Sequence, residues 1–297
     1  MTFVCFSIRP QSAGTGKRFR IGAVSDGRVD DLTPAVLPIG LTDAEVLRCY
    51  DLALDFTTPA AEALNSGGLP TFEFEEIILE APVPAPRKII CIGLNYLDHV
   101  IESGAEKPKS PLIFSKFVTC VAAPNEAIVL PQDSEQVDYE AELAVVIGKK
   151  GKNIAVSDAM EYVFGYTNFN DVSARDLQFA DGQWQRGKSC DTFAPFGPFI
   201  ATKLEIADPH KLSIQFRLNG ETLQNSNTDQ LIFRIPELVA FLSRSITLEP
   251  GDIIATGTPP GVGFARKPPI FLKTGDICEV EIEGLGVLRN PITGSEY

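Results

Sequence analysis

The chain has 297 residues, 44% hydrophobic and 22% charged, with a formal net charge of −13. That is room for a large β-rich core plus a small appendage. The negative charge argues against nucleic acid or an anionic membrane surface as a partner, and no apolar run approaches the roughly 20 residues of a membrane span.

An anionic small molecule remains open as a substrate, because a divalent ion and a few local cations can reverse the sign inside one cleft. The six cysteines, Cys5, Cys49, Cys91, Cys120, Cys190 and Cys278, are scattered without a CxxC pair. They read as reduced thiols of an intracellular protein; with no signal-like start, the expected location is cytoplasmic or the mitochondrial matrix.

Residues 1–80 read as a small leading α+β domain. Strands are predicted at 3–8 and 19–24, and Ser25-Asp26-Gly27-Arg28 marks a hairpin turn. Residues 44–54 and 59–64 have helical composition, with Thr42 or Asp43 as a cap for the first. No catalytic constellation falls here. Pro82, Pro84 and Pro86 form a stiff connector, which places the domain boundary there and gives 81–297 to a second domain.

Residues 88–92 form a buried strand, broken by Gly93 and followed by a helical segment over 95–102. Positions three apart on a helix are neighbours, so His99 and Glu102 touch. A carboxylate beside an imidazole raises its basicity and fixes its tautomer, as a general base requires. The alternative is a surface ion pair. The only other histidine, His210, has no partner in view. Gly104 and the loop at 107–111 make the His99 helix a candidate lid.

Further strands are predicted at 112–117, 127–130 and 139–147, and a helix at 157–164. Across 137–146 acids occupy every second position of an apolar run, so Asp138, Glu140 and Glu142 emerge on one side. Clustered buried carboxylates want a cation or a shared proton; the alternative is a solvated edge. Asp171, ending a strand that starts at 165, is the natural third carboxylate, or else a cap. Three oxygen ligands plus water suit Mg²⁺ or Mn²⁺, whereas Zn²⁺ would want His and Cys spacings that are missing.

Residues 187–198 read as a Gly and Pro rich loop. Lys188 within it is suited to a substrate carboxylate or a developing oxyanion, or is a plain surface lysine. Strands at 212–218 and 222–225 flank the Asn219-Gly220 turn, and 236–245 forms an amphipathic helix. Residues 251–263 are a strand emptying into a loop that exposes Thr258, and strands at 270–272 and 278–282 close the chain. Many short strands punctuated by Gly and Pro predict a mixed β roll or barrel.

Several segments together resemble the fumarylacetoacetate hydrolase superfamily over about residues 85–297. They are Gly93-Leu-Asn-Tyr-Leu-Asp-His99, Val137-Asp-Tyr-Glu140-Ala-Glu142, Asn170-Asp171-Val-Ser-Ala-Arg175, Gly187-Lys188-Ser, Asp191-Thr-Phe-Ala-Pro-Phe-Gly-Pro and Thr256-Gly-Thr258-Pro-Pro-Gly. Ser226-Asn-Thr-Asp-Gln230 and the stretch from Arg266 to Asp276 are similar to the second eukaryotic type of domain-containing proteins in that superfamily.

The resemblance implies an α+β, fumarylacetoacetate hydrolase-like mixed β-roll catalytic domain behind the small N-terminal domain, usually a homodimer. It implies one Mg²⁺ or Mn²⁺ per active site and no organic cofactor. By matching position, Glu140, Glu142 and Asp171 are the metal ligands, His99 with Glu102 is the lid-borne dyad, and Lys188 stands beside a bound 2-oxo acid. Arg175, Gln178 and Thr258 match residues that shape or contact the substrate site. The implied chemistry runs through a metal-bound enolate of a 2-oxo or β-dicarbonyl acid, from which tautomerisation, decarboxylation or C–C cleavage can follow.

Leu94 stands where a basic residue is expected in the acylpyruvate-cleaving type, which favours the oxaloacetate enol-keto tautomerase reading. A C–C hydrolase of acylpyruvate or fumaryl-type substrates is the runner-up. A 2-oxo acid hydratase and a catalytically silent binding relative complete the alternatives.

Overall fold

Alternating apolar positions dominate the chain, and strands result. The computed structural model describes residues 1–9, 19–36, 57–180 and 182–295. It begins with β1 (Thr2–Ile8), β2 (Arg20–Ser25), β3 (Arg28–Asp31), α1 (Thr33–Val36), α2 (Thr57–Ser66), β4 (Thr71–Glu73) and β5 (Ile77–Glu80). Asp26 and Gly27 close β2 on β3 as their types predict. The helix predicted at 44–54, with its cap at Thr42 or Asp43 and with Cys49, lies outside the described residues.

Next come β6 (Ile89–Gly93), α3 (Leu97–Ser103), β7 (Leu112–Lys116), β8 (Val121–Ala122), β9 (Ile128–Leu130), β10 (Val137–Asp138) and β11 (Ala141–Ile147). The middle holds β12 (Val163–Asn170), β13 (Ser173–Ala174), α4 (Arg175–Ala180), α5 (Gln185–Lys188) and β14 (Ala194–Thr202). The chain closes with β15 (Ser213–Leu218), β16 (Glu221–Asn227), α6 (Ile235–Ser243), β17 (Ile253–Ala255), β18 (Ile277–Ile282) and β19 (Val287–Gly294).

Among the described residues a 12-stranded sheet runs β4-β3-β2-β1-β14-β12-β11-β17-β6-β7, with β5 on β1 and β8 on β14. A 5-stranded sheet, β16-β15-β18-β19-β9, packs across β11, β12 and β14. This is the sheet-dominated α+β fold expected from the sequence. Because β1 lies between β2 and β14, residues 1–80 extend the same sheet that carries the acids. The connector is packed: Ala81 and Val83 are buried in the core, and Pro82 is buried with them.

Several local expectations fail for identifiable reasons. The predicted helix at 157–164 is a 3-10 stretch, Val156–Tyr162, and β12 takes over at Val163 because the following aromatic and β-branched side chains are all buried between neighbouring strands. The loop predicted at 187–198 instead ends in β14, whose Pro198 falls where its ladder with β12 shifts register. Residues 270–272 are not a strand: the Ile270 and Leu272 N–H groups donate to the Gly263 and Val137 carbonyls, stapling a loop.

The two sheets meet at Tyr139 and Phe216, stacked at 4.0 Å between centroids and fully buried. Tyr139 points away from the acids flanking it, so this stack fixes the acid-bearing strand from behind. Phe216→Ala is expected to cost about 3–5 kcal/mol of stability, read from urea denaturation. An unchanged midpoint would mean that the stack carries no such load.

Candidate active site

Strand register assembles the acids. Ala141 of β11 lies opposite Asn170 of β12, and one step further the Asp171 N–H donates to the Glu140 carbonyl at 2.9 Å. Residues opposite one another in an antiparallel pair share a face, as do residues two apart on one strand. Glu140, Asp171 and Glu142 therefore converge, with ligand-offering oxygens all within 4.8 Å of one another, and all three are buried.

Cations answer two of the three. Glu140 contacts Arg175 Nη2 through Oε1 and Lys188 Nζ through Oε2, each at 2.7 Å. Asp171 contacts Lys188 Nζ at 2.9 Å and Lys116 Nζ at 2.5 Å. Glu142 accepts only the Gly257 N–H, at 2.8 Å, among the described residues.

The acids titrate accordingly. Burial works against the charge on Glu140, yet Lys188 and then Arg175 hold its carboxyl down at about 2. Glu142 lacks a counter-cation, so burial first, then Asp171 and Glu140, push it well above the usual carboxylate range. Burial also disfavours the Lys188 ammonium, but Asp171 and Glu140 raise it above the ordinary lysine value. A triad of hard oxygen donors in which one member is strained for want of positive charge fits a divalent ion. Such an ion would compete with Lys188 for Glu140 and Asp171.

The imidazole comes from α3. Asn95 fixes the entry to that helix, donating to the Thr256 and Phe233 carbonyls at 2.7 and 3.1 Å and accepting the Phe233 N–H at 2.8 Å. His99 Nδ1 lies 3.0 Å from Glu102 Oε2. The Glu102 carboxylate in turn accepts the Gly261 N–H at 3.0 Å. Gly261 has φ +100°, and a Cβ there would stand 2.1 Å from the Leu223 carbonyl oxygen, so only glycine brings this N–H to the dyad.

A cavity of about 230 Å³ gathers His99, Glu140, Glu142, Arg175, Gln178, Lys188 and Thr258 in its lining. Asp171 and Glu102 lie just behind it, in contact with Lys188 and His99 respectively. Gln178 Oε1 accepts from Arg175 Nη1 at 3.0 Å, which leaves its NH₂ as the donor end. Thr258 Oγ1 donates to the Ala141 carbonyl at 2.9 Å and accepts from Gln224 at 2.8 Å. The sequence therefore names nine residues that the fold brings together.

Three placements differ from the sequence reading, those of Lys188, His210 and Lys116. Lys188 is no surface or loop lysine; it ends α5 and is buried. Asp138 keeps to the side of Glu140, since β10 and β11 hold one register against β13 and β12, and both carboxylates reach Arg175 Nη2, at 2.9 and 2.7 Å; it stands outside the triad, as a structural residue. It also holds Arg175 Nε at 2.9 Å and the Gly263 and Phe264 N–H groups at 2.7 and 3.0 Å. His210 does have a partner: its Nε2 accepts the Ile235 N–H at the start of α6, at 3.2 Å. Lys116 escaped notice, although it shares a strand face with Phe114 and Leu112, a period-2 signal that could have exposed it.

Comparison with known proteins agrees with this geometry. The sequence model of the family "Fumarylacetoacetate (FAA) hydrolase C-terminal" matches residues 88–293. A Rattus norvegicus protein named "Oxaloacetate tautomerase Fahd2a, mitochondrial" is 53% identical over 225 residues, 75% of this chain and 72% of that protein. The solved structure of fumarylacetoacetate hydrolase from psychrophilic Exiguobacterium antarcticum is similar with a TM-score of 0.83 at 37% identity, covering 99% of this chain and 100% of that one. Maleylpyruvate hydrolase from Sphingobium sp. SYK-6, solved with manganese(II) and pyruvate, gives a TM-score of 0.81 at 30% identity over 100% of each chain. This chain belongs to the fumarylacetoacetate hydrolase family.

Proposed function

We propose that the chain is an Mg²⁺- or Mn²⁺-dependent oxaloacetate enol-keto tautomerase. The observation that carries this is one cavity lined both by Glu140 and Glu142 of a buried carboxylate triad and by an imidazole that a carboxylate holds from behind. The rat relative's name supports the substrate, and the manganese and pyruvate in the Sphingobium hydrolase support the metal and the 2-oxo acid head.

Glu140, Glu142 and Asp171 are the residues that would hold the ion. When bound, it supplies positive charge that favours the enolate of a 2-oxo acid. The chain's own residues do the rest. Glu102 takes the Nδ1 side of His99 and so leaves Nε2 to move a proton between the substrate's C3 and its C2 oxygen. Lys188 offers its ammonium to the head carboxylate once it shares Glu140 and Asp171 with the ion. Arg175, fixed by Asp138, orients Gln178, and Thr258 shapes the floor beside Ala141.

Two other expectations belong to this reading. The relative's mitochondrial designation supports the matrix as the location. The homodimer is supported by β7, which ends the large sheet among the described residues, with Leu112 and Ile113 on it and Phe117 and Val118 just after it exposed. The division near residue 80 separates elements that only extend the sheet from those that carry the site.

A panel of oxaloacetate and acylpyruvates tests the reading, with enol loss, pyruvate release and CO₂ release followed separately. The expected result is rapid enol loss from oxaloacetate that stops on chelation and returns with Mg²⁺ or Mn²⁺. Indifference to chelation would sink the metal assignment. Pyruvate release from acylpyruvates in place of enol loss would transfer the site to C–C hydrolysis, and CO₂ release to decarboxylation.

A further inference from the structure

Oxaloacetate is a small dianion, and the cavity is poorly matched to its far end. The cations in its described lining are Arg175 and Lys188, and each is held by two carboxylates. His99 is engaged by Glu102. The only polar group in that lining pointed to by its own hydrogen bonding as a free donor is the Gln178 amide.

The remainder of the wall is apolar and aromatic. Phe114 meets Trp184 edge-on at 5.3 Å, and Phe179 meets Phe264 at 6.0 Å, all four lining the same cavity with Leu94. Phe179 and Phe264 remain 57% and 43% exposed. Arg175 lies 5.1 Å from the Phe264 ring and so steadies it against the site rather than offering charge to a ligand. One aromatic pair half open to solvent at the mouth of a site, with a second, half-buried pair in the same wall, is a binding surface waiting for apolar contact.

We propose that the site also tautomerises 2-oxo acids whose C3 substituent is an aryl or large apolar group, the enols of arylpyruvates. The inference rests on the tautomerase reading and extends its substrate class. The head group binds as oxaloacetate does, and the aryl ring takes the place of the second carboxylate against Phe179, Phe264 and Leu94. The step is an isomerisation: the enol O–H bond breaks, a C3–H bond forms, His99 moves the proton, and no oxidant or co-reactant is consumed. Leu94, in the same lining, becomes part of the selecting wall.

The experiment follows the enols of phenylpyruvate and of oxaloacetate by their ultraviolet absorbance, with the Mg²⁺-loaded full chain, and compares wild type with Phe179→Ala. Wild type is expected to accelerate both. Phe179→Ala, at an exposed position, is expected to lower kcat/KM for phenylpyruvate roughly tenfold or more relative to its effect on oxaloacetate, at an unchanged melting temperature. Acceleration of oxaloacetate without phenylpyruvate overturns the present inference and spares the tautomerase reading; acceleration of neither overturns both. Equal losses on the two substrates would also overturn it, because the aromatic wall would then not discriminate. Leu94→Arg provides a second arm, expected to shift the ratio towards oxaloacetate.

Discussion

Glu142→Gln is expected to abolish measurable Mn²⁺ binding while making the metal-free protein more stable. The loss of affinity should exceed the ~10–100-fold that removing an outer partner of a metal ligand costs, since a ligand itself is removed. The gain has a different origin. Glu142 is buried without a cation and repelled by Asp171 and Glu140, so its carboxyl is pushed well up. A carboxyl raised on folding contributes stability that is present below its unfolded value and lost as pH rises through the folded one. At neutral pH and above, the wild-type apo protein carries that loss. Glutamine removes it and can still accept the Gly257 N–H. Urea denaturation across pH would show a flatter profile for the variant, and Mn²⁺ would no longer raise its melting temperature. The same argument makes metal binding release protons in wild type, seen as calorimetric enthalpies that depend on the buffer and affinities that rise with pH. Full Mn²⁺ affinity in Glu142→Gln would remove this residue from the ligand set.

Much of this site can be read before folding, and the limits are instructive. Period 2 places Glu140 and Glu142 on one face, and period 3 places His99 beside Glu102; both are local geometry that short-range pattern carries. The third carboxylate depends on register. Asp171 stands opposite Glu140 only because β11 and β12 pair with Ala141 across from Asn170, a choice made by the buried faces of both strands together. Asp138 shows one limit of periodicity: it shares a face and Arg175 with Glu140, yet its carboxylate is taken up by that guanidinium and by the loop at 263–264, which only the folded chain reveals. Lys116 shows a different one. A lysine in a strand reads as an edge charge until the fold buries it against Asp171. The helix expected at 157–164 fails because composition does not distinguish a short 3-10 stretch leading into a buried strand from a full α-helix.

His99→Ala should separate chemistry from binding. His99 lies on α3, outside the strands that carry the acids, and contacts none of Glu140, Glu142 or Asp171 in the described hydrogen bonds and ion pairs. Its removal is therefore expected to leave Mn²⁺ affinity within about threefold, while turnover falls by the ~10²–10⁴ typical of a lost general acid–base group. Exchange of the substrate's C3 protons with deuterium, followed by NMR, should stop in the same proportion, because that exchange reads the proton transfer alone. Glu102→Gln is the instructive companion. Glutamine keeps an acceptor for the Gly261 N–H but removes the carboxylate beside Nδ1, so the helix stays anchored while the imidazole loses the partner that holds that side of the ring. A loss of turnover smaller than in His99→Ala, with Mn²⁺ affinity again unchanged, is the expected signature. Loss of Mn²⁺ binding in His99→Ala would place the imidazole among the ligands and end its assignment as the group that moves the proton.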